Sequence, residues 1–339
     1  VSSAHMHDAI VVGAGAAGAA AAFHLSARGH RVLILEAEAM PRRKPCGGGM
    51  AASVQRWFPF DLSPAVDQVI EQVRFTWCLD DPVTAVLPGD SPFWIVQRSR
   101  LDQFIAQQAV AVGAELVDAA AVETMDRDDD GWTVIAGGHR YTSRAVVVAD
   151  GSNSRFAGQL ALGNPKPRFA SAVAVEVESA VAEPNTARFE FGLVKHGFCW
   201  AFPRQGGYSI GVGTFIGREA ADSDAVLSQL LPSLGFAADA GERRSGQLRI
   251  WDGHHPLHGS GPTVGAVAVG DAASLCDPFL AEGLRPALLS GCRAAAALER
   301  WLGGDAQALE DYTAQMKREW GDSMAWGKRI AQVFYRLPK

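Results

Sequence analysis

Three groups of residues in this 339-residue chain have types and spacings that could do chemistry. The first is Gly13-Ala14-Gly15-Ala16-Ala17-Gly18, directly after the apolar run Asp8–Val12. Glycine at 13 permits a tight turn, and glycine at 15 lets backbone N–H groups approach a pyrophosphate. Glycine at 18 lets a helix pack closely on the strand. The helix N-terminus adds partial positive charge for phosphates. Glu36 ends the next apolar run, where a carboxylate can accept both hydroxyls of a ribose and repels a 2′-phosphate. Ala16, Ala17 and Ala37 complete the expected dinucleotide cradle.

The second group is Lys44-Pro45-Cys46-Gly47-Gly48. A thiol in a Gly-rich turn can steer a substrate or supply a proton, which makes Cys46 the candidate catalytic residue. A small buried cysteine is the plainer alternative. Arg42, Arg43 and Lys44 form a basic cluster suited to phosphates, with surface solvation an equal alternative for the two arginines. The third group is Phe198-x-Trp200-x-Phe202-Pro203, followed by Gly211-x-Gly213. Strand alternation places the three aromatics on one face. They offer a long apolar wall, and Gly211 and Gly213 on the facing strand leave room beside it. A plain aromatic core stripe is the alternative. His254, His255 and His258 stand on an irregular Pro/Gly loop without acidic or thiol partners, so no metal site is expected.

These residues need positioning elements. A strand at Asp8–Val12, a helix at Ala16–Arg28 and a strand at Arg31–Leu35 make a β-α-β unit. Prolines 59, 64, 82, 88 and 92 break the next stretch, leaving strands at Val73–Leu79 and Trp94–Gln97, then a helix at Leu101–Val112. A hairpin at 132–141 surrounds Gly137-Gly138, with Asp126–Asp130 as a solvated turn, and Arg144–Ala149 is a strand ending at Asp150-Gly151. Five β-type runs between 168 and 252 predict one antiparallel sheet. Thr263–Val269 is a further buried strand, and Gly283–Trp301 and Gln307–Val333 are helices. The expected organisation is a discontinuous nucleotide-binding domain from 6–52, 96–165 and 262–302. A sheet-rich substrate domain takes 53–95 and 166–261, and 303–339 forms a helical segment.

A net charge of −6 argues against nucleic acid as a partner. Five cysteines with no CxxC pair suit a reducing cytoplasm. No apolar run reaches the ~20 residues of a membrane span, so the expected location is cytoplasmic with peripheral membrane contact possible.

Together with Gly270-Asp271-Ala272-Ala273, Pro278 and Glu282-Gly283-Leu284, these segments resemble the geranylgeranyl reductase family of FAD-dependent oxidoreductases, relatives of the para-hydroxybenzoate hydroxylase-type flavoproteins. The resemblance implies an α/β fold: a Rossmann-like FAD-binding domain of glutathione reductase type, interrupted by an antiparallel β-sheet substrate domain. It implies that Lys44, Gly47-Gly48, Asp150-Gly151, Gly270-Asp271, Pro278 and Glu282 serve the flavin and that Gly283-Leu284 aims a helix N-terminus at its ring. Arg98, in the pattern Arg98-x-x-Leu101-Asp102, belongs beside the cofactor, while the role of Asp102 stays open. Phe198, Trp200, Phe202, Gly211 and Gly213 would shape a substrate tunnel, and Arg285 would bind a charged substrate group or pair with an acid. Ser274 and Ala281 stand where the family usually has glycine.

The implied activity is reduction of carbon–carbon double bonds in an isoprenoid-like apolar substrate, with hydride from flavin N5 and a proton from Cys46. A second GxGxxG after a strand is absent, so electrons would come from transient NAD(P)H contact or from a reduced carrier protein. The rivals are a flavin monooxygenase or halogenase, and a flavoprotein acting on a partner protein. Halogenases carry Trp-x-Trp-x-Ile-Pro, which Phe198 and Phe202 do not match. The oligomeric state stays open.

Overall fold

The computed structural model describes residues 6–90, 92–215 and 221–335. Its first sheet is built on apolar strands whose side chains are covered on both faces, the condition for parallel pairing. The order is Glu115–Val117, Val32–Leu35, His7–Val12, His139–Val148, with Ile10 opposite both Leu33 and Val146. His139–Val148 is one continuous strand where the sequence pattern suggested two pieces, and it forks. Its first half pairs antiparallel with Trp132–Ala136, which continues to Val122–Arg127, and its second half pairs parallel with Ala266–Ala268. The acidic run is a turn, in which Asp128 accepts the Asp130 and Gly131 N–H groups.

Helix Ala16–Ser26 lies almost wholly buried beside helix Leu284–Leu302. Alanine and glycine allow this approach, since a Cβ at Gly291 would stand 2.3 Å from the Ala17 carbonyl oxygen. Backbone proximity of this kind fixes where both helix N-termini point.

The second sheet runs Arg244–Ile250, Arg168–Glu178, Gly207–Thr214, Gly197–Arg204, Thr186–Phe191, Gln72–Trp77, Asp80–Val86. It is mixed rather than purely antiparallel, because Thr186–Phe191 and Gln72–Trp77 pair in parallel. One face carries Phe198, Trp200 and Phe202. The other carries Cys199, Ala201, Ile210 and Val212 against Leu227, Leu230 and Leu231 of helix Ala221–Ser233. That helix escaped the sequence reading, although 227, 230 and 231 follow helical spacing. Gly49–Ala51, Phe93–Val96 and Val66–Ile70 form a small antiparallel sheet that packs against strand Gly197–Arg204.

The last stretch, expected as one helix, is two: Ala308–Met316 and Asp322–Phe334, separated by a π-helical turn at Lys317–Gly321. Trp320 in that turn is buried and donates its indole N–H to the Leu275 carbonyl at 2.8 Å. Trp326 faces solvent at 64% exposure with Arg329 over its ring. Among the described residues no helix is long and apolar enough to cross a membrane.

Candidate active site

The glycine fingerprint is forced by close backbone contacts. Gly13 has φ +107°, and a Cβ there would meet the Ala149 carbonyl oxygen at 2.5 Å. A Cβ at Gly18 would meet the Gly13 oxygen at 2.0 Å. The turn is therefore wedged between helix Ala16–Ser26 and the loop that begins at Asp150. Glu36 accepts the Ala14 N–H at 2.7 Å and the Glu38 N–H at 3.2 Å, so the carboxylate pins the turn from below. Ala16 and Ala17 are buried under it, and Ala37 is exposed beyond it.

Two guanidiniums face Gly15, where a Cβ would stand 3.3 Å from Arg42 Nη2 and 3.8 Å from Arg98 Nη2. Arg42 bridges Glu36 and Asp102, both at 3.2 Å, and is no solvated surface residue; Arg43 is exposed. Asp102 is fully buried and holds Arg98 in a two-point pair at 2.9 and 2.6 Å. Burial opposes the Arg98 charge, but Asp102, with smaller help from Cys46 and Asp271, holds its pKa above the ordinary value. Asp102, left open from sequence, thus orients both arginines toward the glycine turn.

Lys44 gathers the remaining motifs. Its Nζ pairs with Asp271 at 3.1 Å, and a Cβ at Gly151 would lie 3.8 Å from it. A Cβ at Gly283 would lie 3.7 Å from both Asp271 Oδ1 and Cys276 Sγ. Four segments spread over 240 residues of chain meet within one network (44 to 283). Gly270, at φ +59°, sits against Ala17 and gives its N–H to the fully buried Ser290 Oγ at 2.9 Å. Ser290 escaped the sequence reading, because a serine inside an apolar helix carries no motif. Arg249 escaped it too: its buried guanidinium donates to the Ser152 and Ser154 carbonyls beside Asp150-Gly151. Asp150 Oδ1 is buried without a partner, and burial raises its pKa against hydrogen bonds from Ser154 and nearby backbone.

Cys46 is exposed, with its Sγ accepting the Gly48 N–H at 3.3 Å. Next to it, a Cβ at Gly47 would touch both the Phe202 ring and Trp200 Nε1 at 3.1 Å. Gly48, at φ +81°, runs against the Val96 backbone. The thiol loop is therefore laid edge-on against the aromatic wall.

That wall is continuous. Phe198 and Trp200 lie 6.3 Å apart, Trp200 and Phe202 6.4 Å apart, and Phe189 packs behind Phe198 and Phe202 at 5.5 and 5.1 Å. The glycines across from it do not leave open room. A Cβ at Gly211 would lie 2.2 Å from the Trp200 indole, and one at Gly213 3.3 Å from Phe215. The missing side chains are replaced by the indole itself, held by its N–H to Ser209 Oγ at 3.3 Å.

Arg285 lies 5.3 Å over the Trp320 ring and pairs with Glu282 at 3.9 Å. Pro278 and Leu284 are buried. Burial raises the pKa of both Asp277 and Glu282. Of the histidines, His258 Nδ1 bonds Thr313 Oγ1 at 2.8 Å and His254 packs on Trp251. Among the described residues, no three metal-ligating side chains converge.

The residues fit an FAD. A glycine turn at a helix N-terminus and two buried guanidiniums suit the diphosphate, and an unpartnered Asp150 oxygen waits beside it. The family model for FAD dependent oxidoreductases matches residues 8–45 and 88–301. Digeranylgeranylglycerophospholipid reductase 2 of Methanothermobacter thermautotrophicus is 26% identical over 96% of this chain and 87% of its own. A geranylgeranyl bacteriochlorophyll reductase-like protein of Thermoplasma acidophilum superposes with a TM-score of 0.86 at 20% identity, over 98% of this chain and 88% of that one. A triple mutant of the flavin-dependent brominase Bmp2 superposes at 0.74 and 20% identity, over 97% and 90%. These last two likenesses are of fold. With the cradle, the network at Lys44 and the matched model together, the chain belongs to the FAD-dependent oxidoreductase family and is a distant relative of the digeranylgeranylglycerophospholipid reductases.

Proposed function

We propose that the protein reduces carbon–carbon double bonds of an isoprenoid-like apolar substrate, a geranylgeranyl reductase-like activity. The observation that carries this reading is the contact of the Cys46 loop, through Gly47, with Trp200 and Phe202, while Lys44 of the same loop pairs with Asp271. One loop thereby joins the cofactor network to an apolar wall.

FAD, when bound and reduced, supplies a hydride from its N5. The chain's residues supply the rest. Arg98 and Arg42, oriented by Asp102, would face the diphosphate. Lys44 and Asp271 fix the loop that carries Cys46. Phe198, Trp200 and Phe202 hold an apolar chain and exclude water, which an unactivated alkene requires because it is a poor hydride acceptor. With a hydride so supplied to one alkene carbon, the Cys46 thiol would give its proton to the other. The C=C π bond is lost, two C–H bonds form, and solvent returns a proton to the exposed thiolate. NAD(P)H in transient contact, or a reduced carrier protein, restores the electrons.

The test is anaerobic mixing of photoreduced holoenzyme with geranylgeraniol, followed by the flavin spectrum and by mass of the product. Reoxidation with a product heavier by two hydrogens supports the reading, and Cys46→Ala should retain FAD while losing turnover. Fast reaction with air coupled to a hydroxylated or halogenated product would overturn it.

A further inference from the structure

The C-terminal helix keeps an apolar stripe that folding leaves uncovered. Its inward side is complete. Met324 and Ala331 are buried, and Phe334 meets Phe191 at 5.1 Å and Phe279 at 5.5 Å. Gly327 lets the helix cross close to Asp277, where a Cβ would stand 3.2 Å from Oδ1. The outward side carries Trp326, Ile330 and Val333, which are 64%, 49% and 66% exposed. Their spacing of four and three residues places them on one helical face. Single exposed apolar residues are ordinary, whereas three on one face form a patch.

Charge says what the patch meets. Residues 317–339 hold six Lys/Arg and two Asp/Glu, in a chain whose net charge is −6. Of the two acids, Glu319 is paired with Arg293 at 2.9 Å, and Asp322 lies 3.6 Å from His254. Arg329 is exposed and stands 4.9 Å over the Trp326 ring. An indole and two branched aliphatics can enter the boundary between headgroups and acyl chains, while the guanidinium stays with the headgroups. The local surplus of cations is opposite in sign to the rest of the molecule, so an anionic lipid surface would attract this side and repel the others. Strand Asp80–Val86 also exposes apolar side chains, Val83 at 62% and Val86 at 75%, but it holds two acids and no cation.

We propose that the outer face of helix Asp322–Phe334 docks the protein on an anionic lipid surface, with Trp326, Ile330 and Val333 in the headgroup–acyl boundary. The proposal goes beyond the reductase reading and does not depend on it, since docking needs no turnover. Asp277 and Phe279, under the helix, belong to the segment that leads to Gly283. Docking on this face would hold that segment about one helix diameter, ~10 Å, from the lipid.

The experiment sediments holoenzyme with vesicles of phosphatidylcholine alone, or of phosphatidylcholine with a third phosphatidylglycerol, in low and high salt. Wild type is compared with Trp326→Ser, the double variant Ile330→Ser/Val333→Ser, and Arg329→Gln. The control is Val110→Ser, an exposed valine on helix Arg98–Ala111. Wild type should bind the anionic vesicles and release them in high salt. Trp326→Ser and the double variant should each weaken binding about tenfold. Arg329→Gln should weaken it about fivefold, and Val110→Ser not at all. FAD content and Tm should stay at the wild-type values, because the three apolar side chains lie outside the core.

Should Trp326→Ser melt early, the double variant carries the comparison. Failure of wild type to sediment with either vesicle would overturn the docking face. Binding shared equally by every variant would overturn it too, since the contact would then lie elsewhere. Equal binding to both vesicles would overturn the requirement for anionic lipid. Light scattering supplies a further outcome: a dimer that Trp326→Ser dissociates, without vesicle binding, would overturn lipid docking and make the face a contact between two copies of the chain.

Discussion

At Asp102 a fully buried carboxylate pairs with two guanidiniums that face the glycine turn, one of them shared with Glu36. Removing the charge leaves both arginines partly unpaired in a buried site, a loss of about 3–5 kcal/mol. Asp102→Asn should therefore lower both the urea midpoint and the FAD content of the purified protein. A variant that keeps full FAD would show that the arginines are structural only. His24 makes a second residue-scale case. It stands between Phe23 and Phe58, and burial first, then the Arg28 charge, lowers its pKa from 6.5 to about 4. The folded chain holds it neutral while the unfolded chain protonates it. Stability present above the unfolded pKa is thus lost as pH falls toward the folded one, by about 3 kcal/mol. His24→Phe should flatten this acid limb in melts recorded between about pH 7 and about pH 4.5.

Among elements, the turns before helix Leu284–Leu302 carry strain that the sequence shows only once the backbone is known. Ser274 and Ala281 both have left-handed φ values, 56° and 55°. These are the two positions where glycine was expected from the family pattern, and an L side chain there costs about 1 kcal/mol or more. Ser274 also buries an Oγ without a partner. Ser274→Gly and Ala281→Gly should each stabilise by about 1 kcal/mol, with the larger gain at 274. Differential scanning calorimetry checks this, and a fall in Tm at either position would show that the side chain contributes a contact. Trp200 and Gly211 make an element pair of another kind. Cross-strand register sets them opposite one another, so the glycine receives the indole rather than leaving a void.

Over the whole molecule, the two large sheets meet at Arg249. It belongs to the second sheet but donates to Ser152 and Ser154, just beyond strand His139–Val148 of the first. Its side chain is buried in a residue only 8% exposed, and burial lowers its pKa. Arg249→Ala would strand two carbonyls and should cost about 3 kcal/mol. Because those carbonyls flank Asp150-Gly151, the same variant should bind FAD more weakly. Urea titration with FAD fluorescence separates the two effects, and equal loss in apo and holo protein would exclude a role in cofactor binding. Arg249 is thus a contact that crosses from the second sheet to the loop after the first.

Much of this was legible beforehand, for local reasons. Gly13, Gly15, Gly18 and Glu36 announce themselves because a strand–turn–helix leaves few choices at a phosphate-binding turn. Alternation placed Phe198, Trp200 and Phe202 on one face because side chains in a strand have a period of two. The parallel pairing of Gln72–Trp77 with Thr186–Phe191 was not legible, since strand order depends on a partner over a hundred residues away. The π-helical turn at Lys317–Gly321 hid within a stretch that keeps helical spacing on both sides. Arg249 and Ser290 carry no motif and act only through the carbonyls and amide that folding brings to them. By itself the sequence determined the dinucleotide turn, the candidate thiol and the aromatic face, because each depends on near neighbours. Only the tertiary structure decided that Lys44 meets Asp271 and that Arg42 reaches Asp102. Those contacts join segments far apart in the chain, and long-range packing alone selects them.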